Sequence, residues 1–458
     1  MHGELVALER DYLRVGCACL KYPLQGYFCE QLQFATGRIR VPMLKKVCVF
    51  RHSRLLSQES QSASERSLWW ERMSQSFALA SAASLCIAIA GCAAANSSPS
   101  VQAPSSTTTN STQSSSPPAA PTYTAGPKYA QVTNFGASIT CGFYATADGA
   151  TGYIYSNNGY AGRLDAALTG TKAQNLCRPG DLAADTVKTW AMPNAAPALG
   201  QKQLYTIMVG TNDITACGAQ VGCLANYMNA MTALISWLAL PASDKVLGSS
   251  LNVSQAWTPD LNVGVATSAP GASLSFPVQQ AVDGRTLYIA YRVFDTGKIN
   301  GGTATVQVDG NAVATLSTIA NGGRTIATPN GLSDTIWAVG IPLGAAGAHT
   351  VTITNGSSGG FFSFQWAGVS SGQYASTDGA PRVMVALLPQ STNQSFNETE
   401  VTHNNALNQL ASALAADGMW VTAVHCESVL NLSTDFVDTV HPNDAGHAKL
   451  ATAFESAL

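Results

Sequence analysis

The sequence predicts a doubly wound α/β sheet interrupted by an inserted all-β sandwich, and three observations carry that prediction. Strand-like apolar stretches at 129–136, 202–210 and 381–389 take turns with helical patterns, and this alternation marks a parallel sheet. KQLYTIMVG (202–210) is nearly continuous in its apolar character, as a strand buried on both faces must be. From about 249 to 375 the chain turns rich in Gly, Thr, Ser, Val and Asn, with short alternating runs and no readable helix.

Taken in order, YAQVTNFG (129–136) reads as the first strand by its alternation, and GYAGRLDAAL (159–168) as a helix. The buried run 202–210 follows, then a long amphipathic helix, LANYMNAMTALISWLAL (224–240). Within the interruption the runs 286–294, 303–310, 334–343 and 349–356 are separated by turn signals at Asp309-Gly310, Asn321-Gly322-Gly323 and Asn355-Gly356. That is the spacing of an antiparallel sandwich. PRVMVALLP (381–389) restores a buried strand, and helices are expected at 399–418 and 444–458. The α/β domain therefore occupies 127–248 and 376–458, and the sandwich 249–375. A surface loop tolerates an insertion of this size because closure entropy grows slowly with loop length.

Residues 1–92 differ from everything after them. An apolar run from Phe77 to Ala90 is too short for a transmembrane helix, which needs about 20 residues, and has the size of a signal-peptide core. It ends in Ile89-Ala90-Gly91-Cys92, which resembles the lipobox of bacterial lipoproteins; the resemblance implies a signal peptide over 73–92 and lipid attachment at Cys92. A start at Met73 leaves no Lys or Arg before the apolar run, with Arg66 and Arg72 just upstream. Residues 1–72 show neither helical nor strand periodicity, so no fold of their own is expected. Residues 93–126 are uncharged and dominated by Ser, Thr, Pro, Ala and Asn, the composition of a solvated tether. The expected product is an exported lipoprotein, periplasmic or at the cell surface, touching the membrane only through its lipid.

Charge and cysteine usage narrow the function. Only 11% of the 458 residues are charged and the formal net charge is -3. Residues 93–458 carry 13 Lys and Arg against 20 Asp and Glu, a formal charge of -7, so no cationic face exists for nucleic acid. Six of the eleven cysteines (17, 19, 29, 48, 86 and 92) lie in the precursor region, leaving Cys141, Cys177, Cys217, Cys223 and Cys426. Disulfides persist in an exported chain. Cys217 and Cys223 enclose a short loop and are the favoured pair, Cys141 and Cys177 pair if their loops meet, and Cys426 is expected as a small buried hydrophobe.

Three stretches lie at the carboxyl ends of expected strands, where open α/β sheets place their ligands. They are Gly136-Ala137-Ser138-Ile139-Thr140 and Gly210-Thr211-Asn212-Asp213, and, before the last helix, Asp438-Thr439-Val440-His441-Pro442. Nucleophilic serine catalysis needs a base for the hydroxyl proton, a carboxylate to orient the base, and donors for the oxyanion. A carboxylate three residues before a histidine lets one loop present both. Each piece alone is weak, since a Gly-flanked serine after a strand is more often a turn.

Together they resemble the SGNH, or GDSL-type, hydrolases. Gly136-Ala137-Ser138 keeps the nucleophile of the first block, with Ala137 where that family has aspartate. Asn175-Leu176-Cys177-Arg178-Pro179-Gly180-Asp181 matches the second block, with Gly180 as its oxyanion glycine and Cys177 replacing an earlier glycine. Gly210 to Asp213 matches the Gly-x-Asn-Asp block in full, and Asp438 with His441 matches the last. The resemblance covers about 127–248 and 376–458. It implies a three-layer α/β/α, flavodoxin-like architecture and a serine esterase without metal or nucleotide. The catalytic residues are then Ser138, Asp438 and His441, and the oxyanion donors Ser138, Gly180 and Asn212.

His447 reads as a capping or packing residue rather than a second base, and His403 and His425 have no partner pattern. No CxxC pair, HExxH or phosphate loop is present, so no metal or cofactor is expected. In the sandwich, Trp257, Tyr288, Tyr291, Trp337, Phe361, Phe362 and Trp366 are candidates for a sugar-stacking platform, but several fall on alternating strand positions as core residues do. The expected protein is a monomeric esterase acting on carboxylic esters, with acyl groups on a polysaccharide as the favoured class. Two other readings use the same residues: a weakly catalytic lipoprotein whose sandwich, jelly-roll-like in the fold expected for it, binds glycan, and an acyltransferase acting on glycan.

Overall fold

A computed structural model of the chain describes residues 129–146, 156–218, 220, 222–261, 263–295, 299–320 and 333–458. The expected signal peptide, Cys92, the tether and the Asn321-Gly322-Gly323 turn lie outside the described residues.

The first part of the α/β domain runs β1 (Gln131–Gly136), α1 (Tyr160–Ala167), β2 (Lys172–Cys177), α2 (Ala183–Asp185) continuing into a π-helical turn (Thr186–Ala191), β3 (Gln203–Met208), α3 (Thr211–Cys217) and α4 (Cys223–Ala239). The second part is β14 (Arg382–Ala386), α5 (Gln394–Ala416), β15 (Val421–Val424) and α6 (Asp444–Ser456). These strands form one five-stranded sheet in the order β2-β1-β3-β14-β15, every pair parallel. The order reverses between β1 and β3, and the crevice at such a reversal is where these sheets bind ligands.

Burial explains which strands the sequence announces. β14 is buried throughout, and β1 and β3 are buried at every position but the first. On one face Val132, Leu204, Met208 and Met384 pack against Tyr160 and Leu164 of α1 and Leu450 and Phe454 of α6. On the other, Phe135, Ile207 and Val385 join α4, α5 and the π turn. Edge strand β2 is polar and exposed at Lys172, Ala173 and Gln174, so no apolar pattern announces it. Helix α5 begins at Gln394 rather than 399 because the Asn393 side chain accepts from Ser395 N at 3.0 Å and caps the chain there.

The insertion forms two antiparallel sheets. One has the order β10-β9-β12-β7, from β7 (Ser273–Gln280), β9 (Thr303–Val308), β10 (Asn311–Ser317) and β12 (Gly347–Asn355). The other runs β11-β8-β13-β6-β5, from β5 (Thr258–Asp260), β6 (Gly264–Thr267), β8 (Thr286–Phe294), β11 (Asp334–Pro342) and β13 (Phe362–Gly368). A further strand, β4 (Lys245–Leu247), pairs with β13 and lies before the expected boundary at 249. The insertion is fused to the α/β domain rather than hung from it: Trp237 of α4 meets Trp366 of β13 at a ring distance of 5.7 Å, within a continuous core. Thr335 Oγ1 donates to Ala184 O at 2.8 Å, while Asp334 bridges Lys188 and Arg292.

The sandwich aromatics settle into this core. Trp257, Tyr288, Tyr291, Trp337, Phe362 and Trp366 are all buried, and Phe361 is half-buried. Core side chains packed by the hydrophobic effect cover the faces of the six buried rings, so these six form no open stacking platform. Among the described residues, no helix is long and apolar enough to cross a membrane.

Candidate active site

The site begins where β1 ends. A Cβ on Gly136 would lie 2.2 Å from Met208 O and 2.1 Å from Thr140 Oγ1, so only glycine lets the chain turn here against β3. The turn is closed by Cys141 N donating to Ala137 O and Phe143 N donating to Ser138 O, both at 3.0 Å. Cys141 is bonded to Cys177, the last residue of β2. That bond ties the Ser138 turn to the turn that follows β2, where Asp181 N donates to Arg178 O at 3.1 Å. Gly180 sits in this second turn with φ +86°, a left-handed conformation that glycine adopts without penalty.

The last loop reaches Ser138 from the far end of the chain. Its base is fixed by Asp435, whose carboxylate accepts from Asn431 N at 2.6 Å and from Lys449 Nζ at 2.5 Å. Its tip is closed by Val437 N donating to His441 O at 2.9 Å. Asn443 then caps α6, accepting from Gly446 N at 3.1 Å. Held this way, His441 Nε2 lies 2.9 Å from Ser138 Oγ, and His441 Nδ1 lies 2.8 Å from Asp438 Oδ2. Burial opposes the Asp438 charge, but the His441 ring and the His441 and Val440 amides donate to it and hold its carboxyl below the ordinary value. An ionised carboxylate only accepts, so the Nδ1 proton belongs to His441 and Nε2 is left as an acceptor for the serine proton.

Asn212 stands at the start of α3, after β3. Its Nδ2 donates one hydrogen to Asp181 O at 3.0 Å, which fixes the amide beside the Gly180 turn and leaves its second hydrogen. Next to that turn Arg178 pairs with Asp181 and Asp185, and the Asp185 charge acts in turn on Asp213. Asp181 accepts from Arg178 Nε and Trp190 Nε1, each at 2.7 Å, Asp185 from Leu182 N at 2.8 Å, and Asp213 from Ala183 N at 3.1 Å. Burial pushes the Asp213 carboxyl up to about 7, against the Ala183 amide and with the Asp185 charge adding to it.

The remaining candidates separate cleanly. Cys217 is bonded to Cys223, and Cys426 is a free, fully buried thiol. His447 is buried, accepts from Tyr160 N at 3.2 Å, and is pushed by burial down to about 4, so it packs rather than titrates in the neutral range. Phe143 and Tyr144 also border the site, their ring centres 4.8 Å and 5.5 Å from that of His441. The sequence signal for them is a pair of consecutive aromatics directly after the serine turn.

No known protein family and no curated protein matches the sequence. Among solved structures the chain is similar to a member of the lipolytic protein G-D-S-L family from Veillonella parvula, at 11% identity and a TM-score of 0.34, over 72% of this chain and 97% of that one. Over 27% of its length it is similar to a CBM36 carbohydrate-binding module in complex with calcium and xylotriose, at 12% identity and a TM-score of 0.21, covering 96% of that chain. The C-terminal CBM6 of a Zobellia galactanivorans laminarinase is similar over the same share, at 18% identity and a TM-score of 0.21, covering 94% of that chain. By its own strand order, the scaffold beneath the site is an α/β domain carrying a β-rich insertion.

Proposed function

We propose that the protein is a serine esterase acting on carboxylic esters. The observation that carries this reading is the hydrogen-bond chain from Asp438 through His441 to Ser138, assembled from residues 303 apart in sequence. Ser138 Oγ attacks the ester carbonyl carbon while His441 Nε2 takes its proton, and Asp438 stabilises the imidazolium. The negative oxygen of the tetrahedral intermediate is received by the Ser138 and Gly180 N–H groups and by the second Asn212 amide hydrogen. Collapse breaks the C–O bond, the alcohol leaves with the proton from His441, and water then repeats the sequence to free the acid.

Acyl groups on a carbohydrate are the favoured substrate class, and the protein acts as a monomer, held at a membrane through lipid on Cys92. The experiment is hydrolysis of p-nitrophenyl acetate by the purified protein, with Asn212→Ala as the probe. Losing one oxyanion donor costs about 10²–10³ in turnover. A parent with no turnover, or an Asn212→Ala protein as fast as its parent, contradicts the reading. An acyltransferase would instead release acid slowly until a sugar acceptor is added.

A further inference from the structure

Among the described residues one aromatic ring lies in the open, and it is beside the candidate catalytic histidine. Tyr144 is 47% exposed; among the described residues it is the only exposed phenylalanine, tyrosine or tryptophan, the sandwich aromatics being buried except for the half-buried Phe361. Its ring centre is 5.5 Å from that of His441 with the planes at 74°, and 4.4 Å from that of Phe143. His441 in turn touches Ser138 Oγ at 2.9 Å. Through His441 the ring is thus one contact removed from Ser138 Oγ.

Two features separate Tyr144 from a chance exposed residue. Its φ is +63°, a left-handed conformation unfavourable for a bulky side chain and free for glycine. Such strain concentrates at ligand clamps, where the surrounding structure enforces it. Here the enforcement is visible at both ends of the segment. Cys141 is bonded to Cys177 on one side. On the other, Thr146 donates its amide and its hydroxyl to the Asp444 carboxylate at 2.8 and 2.5 Å, and its carbonyl accepts from Ser156 Oγ at 3.0 Å and Asn158 Nδ2 at 2.6 Å. The ring is thus presented on a loop pinned at both ends by contacts that do not involve it.

We propose that Tyr144, backed by Phe143, is a stacking subsite for a ring with a flat apolar face carried next to the scissile ester. A pyranose in the leaving alcohol and an aryl group share that chemistry. The proposal rests on the esterase reading and names the part of the substrate that the site selects.

The test compares kcat/KM for ethyl acetate, phenyl acetate and an acetylated methyl xylopyranoside in the full-length parent, Tyr144→Gly and Tyr144→Phe. Taking ring ester over ethyl acetate within each protein, then comparing proteins, cancels the leaving groups' own reactivity. An aromatic stacking contact corresponds to a change of roughly tenfold. Tyr144→Gly is expected to lower the ratio by about that factor, and Tyr144→Phe to restore it; the ester whose ratio falls identifies the ring. Because glycine adopts this φ freely, Tyr144→Gly should melt no lower than the parent. An unchanged ratio with active parent overturns the subsite alone, and a lowered melting temperature with all three esters slowed equally assigns Tyr144 to packing. A parent that turns over none of the three overturns the esterase reading and the subsite with it.

Discussion

Removing the Cys141–Cys177 disulfide should cost the protein both stability and activity, whereas removing Cys217–Cys223 should cost mainly stability and less of it. The first bond closes a loop between residues 36 apart, the second between residues 6 apart. The chain entropy that each loop withholds from the unfolded state corresponds to about 4 kcal/mol for the longer and about 2 kcal/mol for the shorter. Position adds a second difference. Cys141 follows Ser138 by three residues, and Cys177 precedes Gly180 by three, so the longer link also sets the spacing between the serine and the proposed oxyanion turn. The assay is urea unfolding of the Cys141→Ala/Cys177→Ala and Cys217→Ala/Cys223→Ala double variants, alongside turnover of p-nitrophenyl acetate. Alanine avoids placing a hydroxyl where Cys141 and Cys223 are buried. Equal losses of stability would show that loop length does not set these costs, and full turnover in the Cys141→Ala/Cys177→Ala protein would show that the longer link does not position the site.

Two further predictions concern the frame around the site. Asp334→Ala strips a shared carboxylate from the largely buried Lys188 and Arg292 at the joint between the insertion and the π turn; it should lower stability on the order of 2–4 kcal/mol, measured by urea unfolding. A loss within a few tenths would show that the joint bears no load. His447 titrates at 6.5 in an unfolded chain but is pushed by burial to about 4 in the fold. Between those values the unfolded state binds the proton and the folded state does not, so the stability His447 gives above pH 6.5 is lost as pH falls towards 4. The loss reaches about 3 kcal/mol. In His447→Gln the unfolding free energy should fall less between pH 6.5 and 4 than in the parent, and parallel pH curves would contradict the assignment.

Much of this organisation is legible in the sequence because burial writes it there. β1, β3 and β14 lie inside the sheet, so their apolar stretches stand out. Edge strand β2, Lys-Ala-Gln-Asn-Leu-Cys, has solvent on much of its surface and no pattern to read. The site follows the same rule in reverse. Gly136, Gly180 and Gly210 to Asp213 are conspicuous because turns at strand ends demand small or capping residues, whereas the meeting of Ser138 and His441 depends on the strand order and on the Asp435 and Asn443 contacts that aim the last loop. The exposure of Tyr144 is not legible, since the loop that carries it is held by the long-range Cys141–Cys177 disulfide and Thr146–Asp444 bonds. For the same reason the fusion of the insertion to α4 through Trp237 and Trp366 cannot be read from composition.

In the proposed reaction Ser138 is a nucleophile activated by His441. The most direct measurement is reaction of the full-length protein with a fluorophosphonate, followed by peptide mass mapping and turnover of p-nitrophenyl acetate before and after. One phosphonate on the peptide containing Ser138 is expected, with turnover abolished in step with labelling, and neither label nor turnover in Ser138→Ala. A label on another residue, or Ser138→Ala as active as the parent, would contradict it.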